Sequence, residues 1–255
     1  MPLRLAFDLD GVLADMHSAL ARESDQLFGP RPKLADPTEP PEAADEREGA
    51  GRRENQSALG AAADAGPAAA AGGDGEDLPA ERLWLTGRQR RRLWQRVGRI
   101  DSFWENLREI EPGAVARLSA LAFDRRWEVI FLTQRPETAG ATAQIQSQRW
   151  LERHGFTLPS VYVVRGSRGR IADALDLDLV IDDRAENCLD VAVESRARAV
   201  MIWRGRTGPI SPNVTQLGIS VVDSVMQCLD ALADIPRPGE DRGGWFERLK
   251  KMLAT

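Results

Sequence analysis

The sequence predicts an α/β fold: a Rossmann-like parallel sheet with helices on both faces and a small helical cap inserted after the first strand. Three observations predict it. Short β-branched runs alternate with helical patterns from residue 114 onward, the arrangement of a parallel sheet covered on both sides. The first apolar run, Leu3 to Leu9, leads into two carboxylates spaced i, i+2, Asp8 and Asp10, with Gly11 directly after them. Between that unit and the alternating region lies a stretch of quite different composition, followed by a compact apolar set.

Taken in order, Leu3–Leu9 reads as a buried strand and Asp15–Phe28 as a helix, with Asp15 suited to its N-cap. From Lys33 to Asp77 the only large apolar residues are Leu34 and Leu59, and Ala, Gly, Pro and Glu dominate. Such a segment cannot bury enough surface to offset chain entropy, so 29–77 is expected to be a low-complexity, disordered insert. Leu83, Trp84, Leu93, Trp94, Val97, Phe103, Trp104 and Leu107 then supply two or three short helices, the expected cap over 78–107. Arg88, Arg90, Arg91, Arg92, Arg96 and Arg99 crowd the same stretch. They read as a solvated helix face, with a basic lid that attracts phosphorylated substrates as the sharper alternative.

The alternation that follows predicts a helix over 114–122, a strand over 128–132, a helix over 138–154 and a strand over 161–164. It continues with a helix over 171–175, a strand over 179–181, a helix over 188–194, strands over 199–203 and 219–222, and a helix over 223–232. The core is thus expected to comprise 1–28 and 108–235, with 236–255 as a linker and a C-terminal amphipathic helix.

The 255 residues carry a net charge of -5, which gives no general attraction to nucleic acid or to an anionic membrane, and neither partner is expected. No apolar run reaches membrane-spanning length, and the start of the sequence does not read as a signal peptide; a cytoplasmic location is expected. Cys188 and Cys228 form neither a disulfide framework nor a zinc motif, and His17 and His154 stand alone. Lys33, Lys250 and Lys251 are the only lysines.

Chemistry-bearing side chains gather at strand ends. Asp8 and Asp10 follow the first strand, Thr133 and Gln134 the second, Arg165, Arg168 and Arg170 the third, and Asp182 and Asp183 the fourth. In a doubly wound sheet those ends meet in one crevice. Crowded carboxylates repel unless a cation lies between them, and Mg²⁺, held by few carboxylates and by substrate phosphate, fits. Each pair also has a plainer reading: Asp-x-Asp-Gly as a turn, Asp182–Asp183 as a helix cap.

Phe7-Asp8-Leu9-Asp10-Gly11-Val12-Leu13, Phe131-Leu132-Thr133-Gln134-Arg135-Pro136 and Val180-Ile181-Asp182-Asp183-Arg184-Ala185-Glu186-Asn187 together resemble the first, second and fourth motifs of the haloacid dehalogenase (HAD) superfamily, and the insert resembles that of its deoxyribonucleotidase-like branch. The resemblance implies a Mg²⁺-dependent phosphatase acting on a small phosphorylated substrate, a nucleotide among the candidates. Asp8 would be the nucleophile and Asp10 the acid–base group. Thr133 and Gln134 would hold the phosphate, and Asp8, Asp10, Asp183 and Asp182 the metal. The family's third motif is a lysine at a helix start, and no lysine stands there; Arg170 is the best positional match, with Arg165 and Arg168 as alternates. A phosphosugar phosphatase or mutase, or a catalytically weak binding or scaffold protein, are the competing readings.

Overall fold

The computed structural model describes residues 2–30, 85–204 and 212–234. Six strands, β1 (Arg4–Asp8), β2 (Glu128–Thr133), β3 (Ser160–Val163), β4 (Leu179–Asp182), β5 (Arg198–Ile202) and β6 (Ser220–Val222), form one sheet. All pairings are parallel and the order is β3-β2-β1-β4-β5-β6. Strand order reverses direction beside β1, so the carboxyl ends of β1 and β4 flank the switch point where such sheets hold their ligands.

Alternation along the strands sorts the helices. Leu5, Phe7, Ile181, Val200 and Ile202 face one side, packed against α1 (Met16–Phe28), α2 (Gly87–Val97), α3 (Ala114–Arg125), α4 (Ala143–Arg153) and α8 (Val225–Ala233). Ala6, Leu132, Val180, Ala199 and Met201 face the other, against α5 (Arg168–Ala174), α6 (Ala185–Glu194) and α7 (Pro212–Gln216). Helices therefore cover both faces, as the sequence predicts.

Helix starts follow local capping chemistry. Asp15 accepts from the Ser18 N–H at 3.0 Å and caps α1, while Thr86 and Gln89 form a capping box on α2. The two helices pack on each other: Arg96 pairs with Glu23 at 2.5 Å, and Arg92 lies 5.8 Å above the Phe28 ring. A short 3-10 helix, Phe103–Asn106, docks on α4, where Trp150 Nε1 donates to the Leu107 carbonyl at 2.9 Å. The apolar interior runs unbroken from Phe7 and Phe131 to Leu93, Val97 and Trp104. Arg88, Arg91, Arg92 and Arg99 are exposed, a solvated face.

Two expectations need correction. The helix expected over 138–154 begins only at Ala143, with Thr142 as its N-cap. The buried Gln146 side chain donates to the Thr138 hydroxyl and the Ala141 carbonyl, and these bonds hold 138–142 as an irregular loop. Helix α7, begun by Pro212, has no counterpart among the expected elements. Residues 31–77 of the expected insert, 78–84 of the expected cap and all of 236–255 lie outside the described residues.

Candidate active site

Register brings the acidic motifs together. Phe7 pairs with Ile181 and Asp8 with Leu132, so the carboxyl ends of β1, β2 and β4 are level. Asp8 and Asp182 share the parity of Ala6 and Val180 and project to the face covered by α5 and α6. There the first residue of α5, Arg168, donates from Nη2 to Asp8 Oδ1 at 2.8 Å, and its Nε lies 3.7 Å from Asp182 Oδ2. Arg168 is 1% exposed, and its Nε and Nη1 are buried without a hydrogen-bond partner. Ser167 caps α5, and Gly169 lets that helix press on the Asp190 carbonyl of α6, where a Cβ would collide.

Arg170, expected in the role of the missing lysine, is at the surface and pairs with Glu194 at 3.7 Å. Helix geometry explains the exchange: residues two apart lie about 200° apart around the axis, so Arg168 facing the sheet turns Arg170 to solvent. Arg165 is exposed as well.

Asp10 sits just beyond β1. Arg135 donates to both of its oxygens, Nε to Oδ2 and Nη2 to Oδ1, each at 2.8 Å, and the Thr133 hydroxyl donates to Oδ2 at 3.1 Å. Thr133 is fully buried, and Gln134 follows it half-buried at the same strand end. Arg135 is the residue that sequence reasoning passes over. Its signal is a lone arginine between strand and proline at a site rich in acids.

Asp182 accepts from the Arg184 N–H at 2.9 Å and from Asn187 Nδ2 at 3.0 Å, so it fastens the start of α6. Asp183 is buried against Gly11, whose φ of +90° and lack of a side chain permit the approach; a Cβ there would overlap the carboxyl group. The loop after Gly11 is clamped from β5: Arg204 donates to the carbonyls of Gly11 at 2.5 Å and Val12 at 2.9 Å, and pairs with Glu111. Glu111 in turn accepts from the N–H groups of Val225 and Met226 at the start of α8, each at 2.8 Å.

The electrostatics of the site are strained. Burial pushes the Asp8 carboxyl well above its ordinary range, Asp182 adds to this, Arg168 opposes it, and Asp10 and Asp183 raise it further. Burial, with Asp183 nearby, also lifts Asp182 to about 6 despite Arg168, the Arg184 N–H and Asn187. Four carboxylates here face two buried guanidiniums, leaving an excess of negative charge that suits a divalent cation. Among the described residues no three His, Cys, Asp or Glu side chains are grouped to hold a metal. Within the expected metal set, the Asp10 carboxyl bonds Arg135 and the Asp182 carboxyl bonds Asn187, while Asp8 bonds Arg168 and Asp183 is buried against Gly11. A buried cluster of this kind fits Mg²⁺, which is commonly held by one or two carboxylates, waters and substrate phosphate.

No family profile and no curated protein matches the chain. Among solved structures, a HAD-family hydrolase from Deinococcus radiodurans R1, with bound phosphate and sodium, aligns over 91% of this chain and 96% of its own, with a TM-score of 0.51 and 16% identity. A β-phosphoglucomutase-like protein from Thermotoga maritima aligns over 92% and 100%, at 0.48 and 15% identity. A hydrolase from Pseudomonas syringae aligns over 92% and 99%, at 0.46 and 16% identity. The first of these establishes a HAD-like fold. Among the described residues no helix is long and apolar enough to cross a membrane.

Proposed function

We propose that the protein is a magnesium-dependent phosphatase that hydrolyses a small phosphomonoester, a nucleotide by the resemblance of its motifs, through an aspartyl-phosphate on Asp8. The observation that carries this reading is the pairing of Asp8 with Arg168. A buried carboxylate at the switch point meets a buried guanidinium that still has two unused donor nitrogens. Charge neutralisation around a transferring phosphoryl group is the chief task of such a site, and arginine performs it here in place of lysine. The phosphate in the Deinococcus radiodurans structure of similar fold agrees with the reading.

Asp8 attacks the substrate phosphorus with its second oxygen while Arg168 holds Oδ1 in place. The bond from phosphorus to the ester oxygen breaks, and Asp10 delivers a proton to that oxygen as it leaves. Asp10 then takes a proton from water, which attacks phosphorus, frees Asp8 and releases inorganic phosphate. The Gln134 amide and Thr133, its hydroxyl turning from Asp10 when substrate binds, would meet the phosphate oxygens at the end of β2. Asp8, Asp183 and the main-chain carbonyl of Asp10 would hold the magnesium ion, which when bound offsets the charge of the phosphate and the acids.

The test is hydrolysis of 4-nitrophenyl phosphate and of a panel of nucleoside monophosphates and sugar phosphates, with magnesium and with EDTA. Metal-dependent release of phosphate by the wild type, lost in Asp8→Asn with the fold retained, is expected. Phosphatase activity that survives in Asp8→Asn removes the proposed nucleophile.

A further inference from the structure

The mechanism above uses Asp10 but leaves Arg135 without a task. Asp10 belongs to no regular element. It follows the end of β1 and precedes a turn in which the Gly11 N–H bonds the Ala14 carbonyl at 3.1 Å and the Ala14 N–H bonds the Leu9 carbonyl at 2.7 Å. Those bonds fix its backbone and leave the carboxyl group free to rotate about its side-chain torsions. Proton transfer in both halves of the reaction needs that group held to a fraction of an ångström.

Arg135 supplies the main constraint, beside the single bond from the Thr133 hydroxyl. Two of its nitrogens span both Asp10 oxygens, and the third donates to the Ser147 hydroxyl of α4 at 2.8 Å. The guanidinium also lies 5.0 Å over the ring of Trp104, in the segment inserted between β1 and β2. Trp104 is itself pinned, its indole donating to the Pro136 carbonyl at 3.0 Å and its N–H to Gln146 Oε1 at 3.0 Å. The side chain of Arg135 is fully buried, so an ion pair that would be weak in water is held in a single geometry.

We infer that Arg135 is the positioning residue of the acid–base group: it aims the Asp10 carboxyl at the leaving oxygen and ties that aim to Trp104. The inference rests on the phosphatase reading of the site. Arginine is required because lysine offers no planar fork to span two oxygens and reach a third partner.

The experiment compares kcat/KM for two magnesium-supported substrates, 4-nitrophenyl phosphate and an alkyl phosphomonoester, in the wild type, Arg135→Lys, Arg135→Gln and Asp10→Asn. An aryl ester departs without a proton, and an alkyl ester does not, so a lost general acid shows only on the second. Arg135→Gln is expected to lose about 10²-fold on the alkyl ester, chiefly in kcat, and about threefold or less on the aryl ester, the range of a weakened general acid. Arg135→Lys falls between, and it keeps the test open should the glutamine variant unfold. In an Asp10→Asn background, Arg135→Gln is expected to cost little more. Equal losses on both esters, or additive losses with Asp10→Asn, overturn the inference while the phosphatase reading stands. A wild type inactive on both esters overturns the phosphatase reading and the inference together.

Discussion

Arg168 reaches Asp8 across 160 positions of sequence, and the 2.8 Å bond between them is made by a single nitrogen of the guanidinium. Its Nε and Nη1 make no hydrogen bond, and on the proposed function they meet charge arriving with a substrate. Arg168→Ala is therefore expected to lower kcat/KM on a phosphomonoester by about 10²–10³-fold, the scale of a lost charge-stabilising donor. Arg170→Ala, which breaks only an exposed pair with Glu194, is expected to stay within about twofold. Steady-state kinetics on both variants decide between the two arginines, and a larger loss in Arg170→Ala would reverse the assignment.

The raised carboxyls of Asp8 and Asp182 make stability depend on pH in a particular sense. A carboxyl whose folded pKa exceeds its unfolded value binds more protons in the native state, so its contribution is fullest in acid and is lost as pH rises through the folded pKa. For Asp182 that window runs from its ordinary 3.8 to about 6, and for Asp8 it extends upward from the same start. In EDTA, Asp8→Asn is expected to gain stability over the wild type as pH rises from about 4 to about 7. Magnesium is expected to raise the wild-type Tm more at neutral pH than in acid and to close that gap. Thermal unfolding with and without the metal checks it; a gap that widens toward acid would contradict the electrostatics of the site.

Gly11 combines a positive φ with contact to Asp183. Gly11→Ala is expected to cost about 1–3 kcal/mol of stability from backbone strain alone and to abolish turnover by displacing Asp183. Gly113 has a similar φ of +86° and nothing within 4 Å of where a Cβ would stand, so Gly113→Ala bears the strain without the collision. Chemical denaturation paired with activity separates the two effects. Activity lost equally in both variants would point to strain rather than to Asp183.

Glu111 joins three elements. Burial alone would raise its carboxyl, but Arg204 and the Met226 and Val225 N–H groups hold it below the ordinary value of 4.5. Its contribution is therefore present above that value and lost as pH falls through the lowered one. Glu111→Gln is expected to destabilise the fold by about 1–2 kcal/mol at neutral pH, with the difference shrinking in acid. Denaturant midpoints at both pH values test this, and a penalty independent of pH would argue for shape rather than charge.

Much of this architecture is legible because buried parallel strands are short apolar runs, and Ile130-Phe131-Leu132 or Leu179-Val180-Ile181 can be read without their partners. Asp8, Asp10, Thr133 and Asp182 are visible for the same reason, since each lies where such a run stops. What sequence reasoning misses depends on rotation and on distant side chains. Arg168 and Arg170 differ only in which way a short helix faces, and a seven-residue stretch with arginine at both positions carries little periodic signal. The late start of α4 is decided by what Gln146 bonds, and the role of Arg135 by an aspartate 125 positions away. Pro212 suits the first turn of a helix, a cue that its glycine-rich surroundings obscure.

The strand that bears Asp8 is made before both of its neighbours and completed late. β1 is flanked by β2 and β4, whose residues Phe131 and Ile181 pair with Phe7. During synthesis it must wait for the whole stretch up to β2 to emerge before its first neighbour exists, and for β4 before it has both. Contacts so remote in sequence slow folding and expose a sticky, unpaired edge in the meantime. A ribosome-bound fragment ending before Leu179 would thus carry the whole first motif yet hold it beside an open seam, a natural target for chaperones.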